Sequence, residues 1–254
     1  MIRILSYYSV RSSSFAIDSL YIISIEKLWY NYTQMANLVQ NHNRLVVGLT
    51  GGIASGKSTV GEALAKLKVQ RINVDSITHQ VLAPDGRAYR EVAQQWPQFV
   101  DEEQKIVRSA LRAHVFKNGN EKERRLLEAI TRPSIKTEIS MRLQQPEGYY
   151  TVLESALLFE TGADERVDTT VVVDTDEALQ AERAVMRDGE DCRVEEIMAK
   201  QLARRDRQQR ADHIIPNIGT KQELLIATHA LHYGWLLPMA LAKSAPTRHA
   251  PNNA

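Results

Sequence analysis

Eight consecutive residues, Gly51-Gly52-Ile53-Ala54-Ser55-Gly56-Lys57-Ser58, fit the spacing G-x-x-x-x-G-K-[ST]. Glycines at these positions let the backbone turn tightly, so that successive N–H groups converge on phosphate oxygens. A helix opening at Lys57 adds the positive end of its dipole. Lys57 is expected to reach the β- and γ-phosphates, and the hydroxyl of Ser58 to hold Mg²⁺, with Thr59 next in the cradle. The motif alone leaves kinase, GTPase and motor ATPase open. No N-K-x-D guanine-reading motif and no L-S-G-G-Q signature is present, which points to a small-molecule kinase using ATP and Mg²⁺.

A phosphoryl transfer also needs an acid for the acceptor hydroxyl and positive charge for the transferred group. Asn73-Val74-Asp75 is read as the end of a second strand, where a carboxylate beside the cradle orients or deprotonates a hydroxyl. Asp75 also fits the N-cap of the following helix, with Ser76-Ile77-Thr78 as its first turn. The cations fall in a lid candidate over 176–210. Arg183 and Arg187 are four apart on one helical face, and Lys200, Arg204, Arg205, Arg207 and Arg210 face only Asp206. Such guanidinium groups either neutralise a phosphate or form a solvated helix face. Asp174 resembles a Walker B acid or simply ends a strand. Glu154 and Glu160 bracket Ala156-Leu157-Leu158-Phe159, and either fits near an acceptor. The histidines lack metal-ligand spacing, and Cys192, the single cysteine, excludes a disulfide framework and a thiolate zinc site.

Those residues require an alternating framework. Leu45 to Thr50 reads as a buried strand, Thr59 to Leu67 as helical, and Arg71 to Val74 as a shorter strand with a helix from Ser76. Tyr150 to Leu153 and Thr169 to Val173 are β-branched runs, and Ile214-Ile215 closes at Pro216. This predicts an α/β fold: a parallel sheet of about five strands flanked by helices. Residues 85–146 have helical periodicity and read as an insertion. The core is then 44–84 and 147–235, with the lid inside it. Lys+Arg at 32 against Asp+Glu at 31 gives a net charge of +1, without the basic field of a nucleic-acid binder. No run of about 18 uncharged apolar residues appears, so no membrane span is expected, and a soluble cytoplasmic monomer or weak homo-oligomer is. Residues 1–43 hold Tyr7, Tyr8, Tyr21, Tyr30 and Tyr32 but no Gly or Pro. They read as an extension, with translation expected from Met35; a transit peptide or a poorly ordered arm are the other readings. Residues 236–254 read as a disordered tail.

The motifs together resemble the dephospho-CoA kinase family over Leu45 to about Trp235. Gly48 to Val60 looks like its G-L-T-G-G-I-x-S-G-K-S-T-V signature, and Asn73-Val74-Asp75 with His79 matches its D-x-D and following helix. Arg108 to Phe116, Leu126 to Ile135, Ala156 to Glu160 and Ala211 to Gly219 are similar to four further family motifs; Arg183, Arg187-Asp188 and Gln201 fall on family lid positions. Asn73, Arg132 and Ala156 depart from the pattern, on the acceptor side. The resemblance implies a P-loop kinase core with a helical CoA domain and a mobile lid. It also implies transfer of the γ-phosphoryl of ATP to the ribose 3′-hydroxyl of dephospho-CoA, the last step of coenzyme A synthesis. Asp75 would be the base or orienting acid, His79, Arg108, Arg132 and Glu160 would lie on the acceptor side, and Asn217 and Gly219 would border adenine. The rival readings are another nucleoside or nucleotide kinase and a nucleotide-binding switch without turnover.

Overall fold

The computed structural model describes residues 44–115, 117, 119–189 and 194–245. The 1–43 extension, Cys192 and the tail beyond 245 lie outside the described residues. Five parallel strands form one sheet in the order β2-β3-β1-β4-β5: β1 Val46–Gly51, β2 Gln70–Asn73, β3 Thr151–Glu154, β4 Thr169–Asp174 and β5 His213–Pro216. Central β1 is covered on both edges, with Leu49 opposite Glu154 of β3 and Val171 of β4. A strand so placed has no edge to show water, and five of its six residues are buried. Because β1 continues into β2 on one side while β4 lies on the other, the chain diverges at the carboxyl end of β1. In an open parallel sheet that divergence opens a crevice for ligands.

Alternation along the strands sends side chains into two cores. On one face Val47, Leu49, Val152, Val171 and Val173 pack with Val60 and Leu64 of α1 (Lys57–Lys66). The same core takes Leu224 of α9 (Lys221–Leu231) and Ala240 of α10 (Leu237–Ser244). On the other face Ile72 and Leu153 meet Ile77 and Val81 of α2 (Val74–Val81) and the helical segment that follows. That segment comprises α3 (Tyr89–Gln95), α4 (Arg108–Val115) and the 24-residue α5 (Glu121–Gln144), with Trp96, Leu111 and Ile130 buried among them. The helices α6 (Glu177–Asp188), α7 (Val194–Met198) and α8 (Arg204–Arg210) lie between β4 and β5 in sequence.

Three boundaries differ from the sequence reading. The second strand stops at Asn73, and α2 begins at Val74, two residues before the expected Ser76. Asn73 itself is the N-cap, its side-chain oxygen accepting the Ser76 N–H at 2.9 Å. Asp75 is therefore neither strand end nor cap; it sits in the first helical turn. The tail expected from 236 is helical to Ser244, with Leu236, Leu237 and Ala240 buried; those apolar residues have a core to join. They end the helical span Lys221–Ser244, the one span among the described residues long and apolar enough to cross a membrane by length and composition.

Candidate active site

The loop from Gly51 to Gly56 leaves β1 at its carboxyl end and feeds α1. Gly56 takes φ 91°, a left-handed conformation that a side chain would strain, and is the N-cap without any side-chain cap. The first turn of α1 has no acidic residue either, so the helix dipole faces the loop unmasked. The loop is braced from behind. Asn217, buried beyond β5, donates from its amide nitrogen to the Ser55 carbonyl at 2.8 Å. Thr175, fully buried, donates to the Asn217 carbonyl at 3.0 Å. The Ile53 N–H donates to the side-chain oxygen of Gln201 at 3.0 Å.

Lys57 points along the crevice between two carboxylates. Its Nζ is 3.0 Å from Glu154 Oε1 and 3.7 Å from Asp75 Oδ2. Glu154, the last residue of β3, has no exposed surface, while the Asp75 side chain is 59% exposed. The same Glu154 oxygen accepts from Ser58 Oγ at 3.0 Å, and its other oxygen accepts from Arg71 Nε at 2.6 Å. Burial pushes the Glu154 carboxyl up, but the Arg71 hydrogen bond, then the charge and hydrogen bond of Lys57, hold it below the usual carboxylate range. Oxygen donors of this kind, Ser58 Oγ with a carboxylate behind it, suit a hard cation such as Mg²⁺, which keeps several waters and binds few protein groups.

Of the residues expected on the acceptor side, the structure brings Asp75 and Arg108 close to His79. Partial burial lowers the His79 pKa, the Arg108 charge lowers it further, and Asp75 acts against both. Arg132 lies on the exposed face of α5, paired with Glu128 at 2.7 Å. Glu160 accepts the Leu202 N–H at 2.5 Å, while Gln201 Nε2 donates to the Ala156 carbonyl at 3.2 Å. This pair of contacts ties the segment after α7 to the loop after β3. Arg183 donates to the carbonyls of Asn217 at 3.1 Å and Gly219 at 3.4 Å. Arg187 forms two bonds to Asp188.

Two acids end the strands on either side of β1, Asp174 at the end of β4 and Glu154 at the end of β3. Asp174, which resembles a Walker B acid by sequence, is clasped by Arg204 through both oxygens, at 2.9 and 2.7 Å, and by Gln208 at 2.8 Å. Its pKa is depressed: burial raises it, but the Arg204 and Gln208 hydrogen bonds prevail. The acid that touches the P-loop lysine and serine is Glu154. Its signal in the sequence is an acid ending an apolar strand; Arg71, inside the short β2, has no motif to mark it.

A glycine loop at the crevice of a parallel sheet, a lysine and a serine aimed into it and an exposed acid facing the lysine together define a P-loop kinase. The family model described as dephospho-CoA kinase matches residues 45–223. The dephospho-CoA kinase of Chromobacterium violaceum is 40% identical over 200 residues, covering 78% of this chain and 97% of that protein. That of Acinetobacter baylyi is 36% identical over 193 residues, 75% of this chain and 98% of that protein. Among solved structures, TT1252 from Thermus thermophilus superposes with a TM-score of 0.65 at 25% identity, covering 76% of this chain and 99% of that one. The Campylobacter jejuni dephospho-CoA kinase shares the fold, with a TM-score of 0.52 at 22% identity over 74% of this chain and 96% of that one. The chain belongs to the dephospho-CoA kinase family. It is a phosphotransferase with an alcohol group as acceptor and a small-molecule substrate.

Proposed function

We propose that this chain moves the γ-phosphoryl of ATP to the ribose 3′-hydroxyl of dephospho-CoA, with Asp75 receiving or orienting the hydroxyl proton and Lys57 following the phosphoryl. One observation carries this assignment: the Asp75 carboxylate stands 3.7 Å from Lys57 Nζ. An acceptor hydroxyl and a γ-phosphoryl have to meet where the acceptor-side acid and the phosphate-side cation meet. The backbone from Gly51 to Thr59 binds and orients the phosphates, and the Ser58 hydroxyl holds Mg²⁺. Held by Ser58, Mg²⁺ would supply positive charge beside the phosphates bound by the Gly51 to Thr59 backbone. Phosphoryl transfer asks for little covalent work from the protein, so positioning and charge stabilisation supply the rate.

His79 and Arg108 flank Asp75 and offer polar and positive groups to the acceptor. Arg183, seated on the carbonyls of Asn217 and Gly219, positions the strip that borders the adenine, and Arg187 adds charge from the same helix. Residues 85–146 act as the CoA-binding segment and 176–210 as a lid that closes over the phosphates. The near-neutral charge offers no basic field for nucleic acid, and the chain is assigned to the cytoplasm as a monomer or weak homo-oligomer without a membrane partner. The test is ADP release from ATP and Mg²⁺ with dephospho-CoA, nucleosides and nucleotides offered in turn. Release that depends on dephospho-CoA supports the assignment; preference for a nucleoside or nucleotide, or none for any acceptor, rejects it.

A further inference from the structure

The side chains of Asn217 and Thr175 hold the glycine loop by a carbonyl, a group phosphate does not use. Both donate to the Ser55 oxygen, at 2.8 and 3.4 Å, and leave the loop's donors untouched. Gln201 does the opposite. Its Oε1 accepts the Ile53 N–H at 3.0 Å, so a neutral oxygen rests on one of the donors that bind phosphate oxygens in such a loop. Its Nε2 donates to the Ala156 carbonyl at 3.2 Å. A carbonyl only accepts, so Ala156 fixes which end of the amide is nitrogen and leaves the oxygen to Ile53. Ile53 follows β1 and Ala156 follows β3, adjacent strands of the sheet. The amide therefore bridges the crevice in which Lys57 and Asp75 face each other.

The neighbours of Gln201 hold it in this place. The Leu202 N–H donates to Glu160 Oε1 at 2.5 Å, the buried Arg207 donates to the Leu202 carbonyl, and Arg210 pairs with Asp164 at 2.6 Å. Glu160 and Asp164 both belong to the stretch after β3, so the segment carrying Gln201 is docked there independently of its amide. The donors of the cradle are not equivalent. Inner phosphates belong at the start of α1, where the helix dipole and the backbone from Gly56 to Ser58 converge. Ile53 lies at the other end of the loop, towards the stretch after β3, which leaves it to the terminal phosphoryl. We propose that Gln201 is a placeholder for an oxygen of that phosphoryl, yielding the Ile53 N–H to ATP and taking it back when only ADP remains. A charged phosphoryl oxygen is the stronger acceptor, so ATP wins the exchange. ATP nevertheless has to break one neutral hydrogen bond that ADP leaves in place. Gln201 is then a specificity-determining residue that sets triphosphate against diphosphate affinity. This inference rests on the reading of the cradle as the ATP site of a kinase.

The test is the affinity of the full chain for ATP and for ADP, each with Mg²⁺ and without acceptor, by calorimetry. Gln201→Met keeps the side-chain length and removes the amide oxygen. ATP should bind this variant about three- to tenfold more tightly than the wild type, and ADP within about twofold of it. Gln201→Glu turns the placeholder into an anion, a better partner for the N–H and a repellent for the phosphoryl. It should weaken ATP about tenfold or more, and ADP by less. A glutamine that only props the loop would shift both nucleotides alike in each variant, which overturns the proposal. So does ATP affinity unchanged or weakened in Gln201→Met, or failure of both variants to fold, which would assign Gln201 to the scaffold. A wild type that binds no ATP would reject the reading of the cradle and the proposal with it. A wild type that binds ATP, with both variants as expected, but leaves dephospho-CoA unphosphorylated would reject the acceptor assignment alone.

Discussion

Lys57 Nζ and Glu154 Oε1 lie 3.0 Å apart, the carboxylate without exposed surface and the lysine side chain 9% exposed. The lysine proposed to act on phosphate is thus held by the last residue of a central strand. Its reach towards phosphate starts from a fixed point, which reduces the side-chain entropy lost on binding.

Replacing Lys57 with Ala should lower kcat/KM about a thousandfold through lost stabilisation of the transferred phosphoryl. Glu154 keeps Arg71 and Ser58 as partners, so the protein should fold with a loss of about 1–3 kcal/mol. Steady-state kinetics and a thermal melt of the variant check both. Turnover above about a tenth of wild type would contradict the role given to Lys57.

Asp75→Asn should cut turnover about a hundredfold or more while ATP affinity stays within about twofold. The side chain is exposed and bonded to no backbone group of the loop, so its amide form leaves the cradle intact. Asn73, by contrast, caps α2, and Asn73→Asp should leave stability near wild type because both residues are good caps. Single-turnover rates and ATP titrations of the two variants separate the acid from the cap. Normal turnover of dephospho-CoA by Asp75→Asn would remove Asp75 from the chemistry.

The cap also shows what the sequence carried and what it did not. The glycine loop, the apolar and β-branched central strands and the helical 85–146 segment were legible, because apolar runs, the P-loop spacing and helical periodicity are local signals. Asp75 was expected at a strand end or as the cap, and it stands in the first helical turn because the helix starts earlier and Asn73 takes the capping position. Arg204 with Asp174, and Arg71 with Glu154, were hidden because each pair joins separate segments, 30 and 83 positions apart. No local pattern encodes a partner that the sheet topology brings in. Asn217 was singled out for the adenine border, and its brace on the Ser55 carbonyl is a contact that no local pattern announced.

Gly56→Ala should raise the Kd for ATP about tenfold or more. The added Cβ would meet Asn217 Nδ2 at 2.5 Å in a residue with φ 91°, displacing the amide that holds the loop. Strain of this kind costs about 1–3 kcal/mol, which should appear as a lower Tm. Unchanged ATP affinity and Tm would show that neither the left-handed turn nor the brace shapes the cradle.

Stability should fall with acidification between about pH 6.5 and 4, with His232 a main cause. His232 is buried beside Tyr150, Nδ1 to hydroxyl 2.8 Å, and burial together with the His229 charge lowers its pKa to about 4. Below the unfolded value near 6.5 the unfolded chain binds a proton that the folded chain refuses. The depressed folded pKa therefore contributes stability at neutral pH that is lost as pH falls through this window, on the order of 3 kcal/mol. Urea titrations at pH 7 and pH 5 measure it. A His232→Gln variant, less stable at pH 7, should lose less stability between those two pH values; an equal loss would assign the pH dependence to other groups.

The most direct test of the assigned reaction is the position of the new phosphate. Wild-type protein is incubated with ATP, Mg²⁺ and dephospho-CoA, and the product is read by mass and by phosphorus NMR. The account predicts one ADP per acceptor consumed and a new monoester on the ribose 3′-oxygen, a product identical to coenzyme A. Phosphate on another oxygen, or ADP formed at the same rate without acceptor, would contradict it.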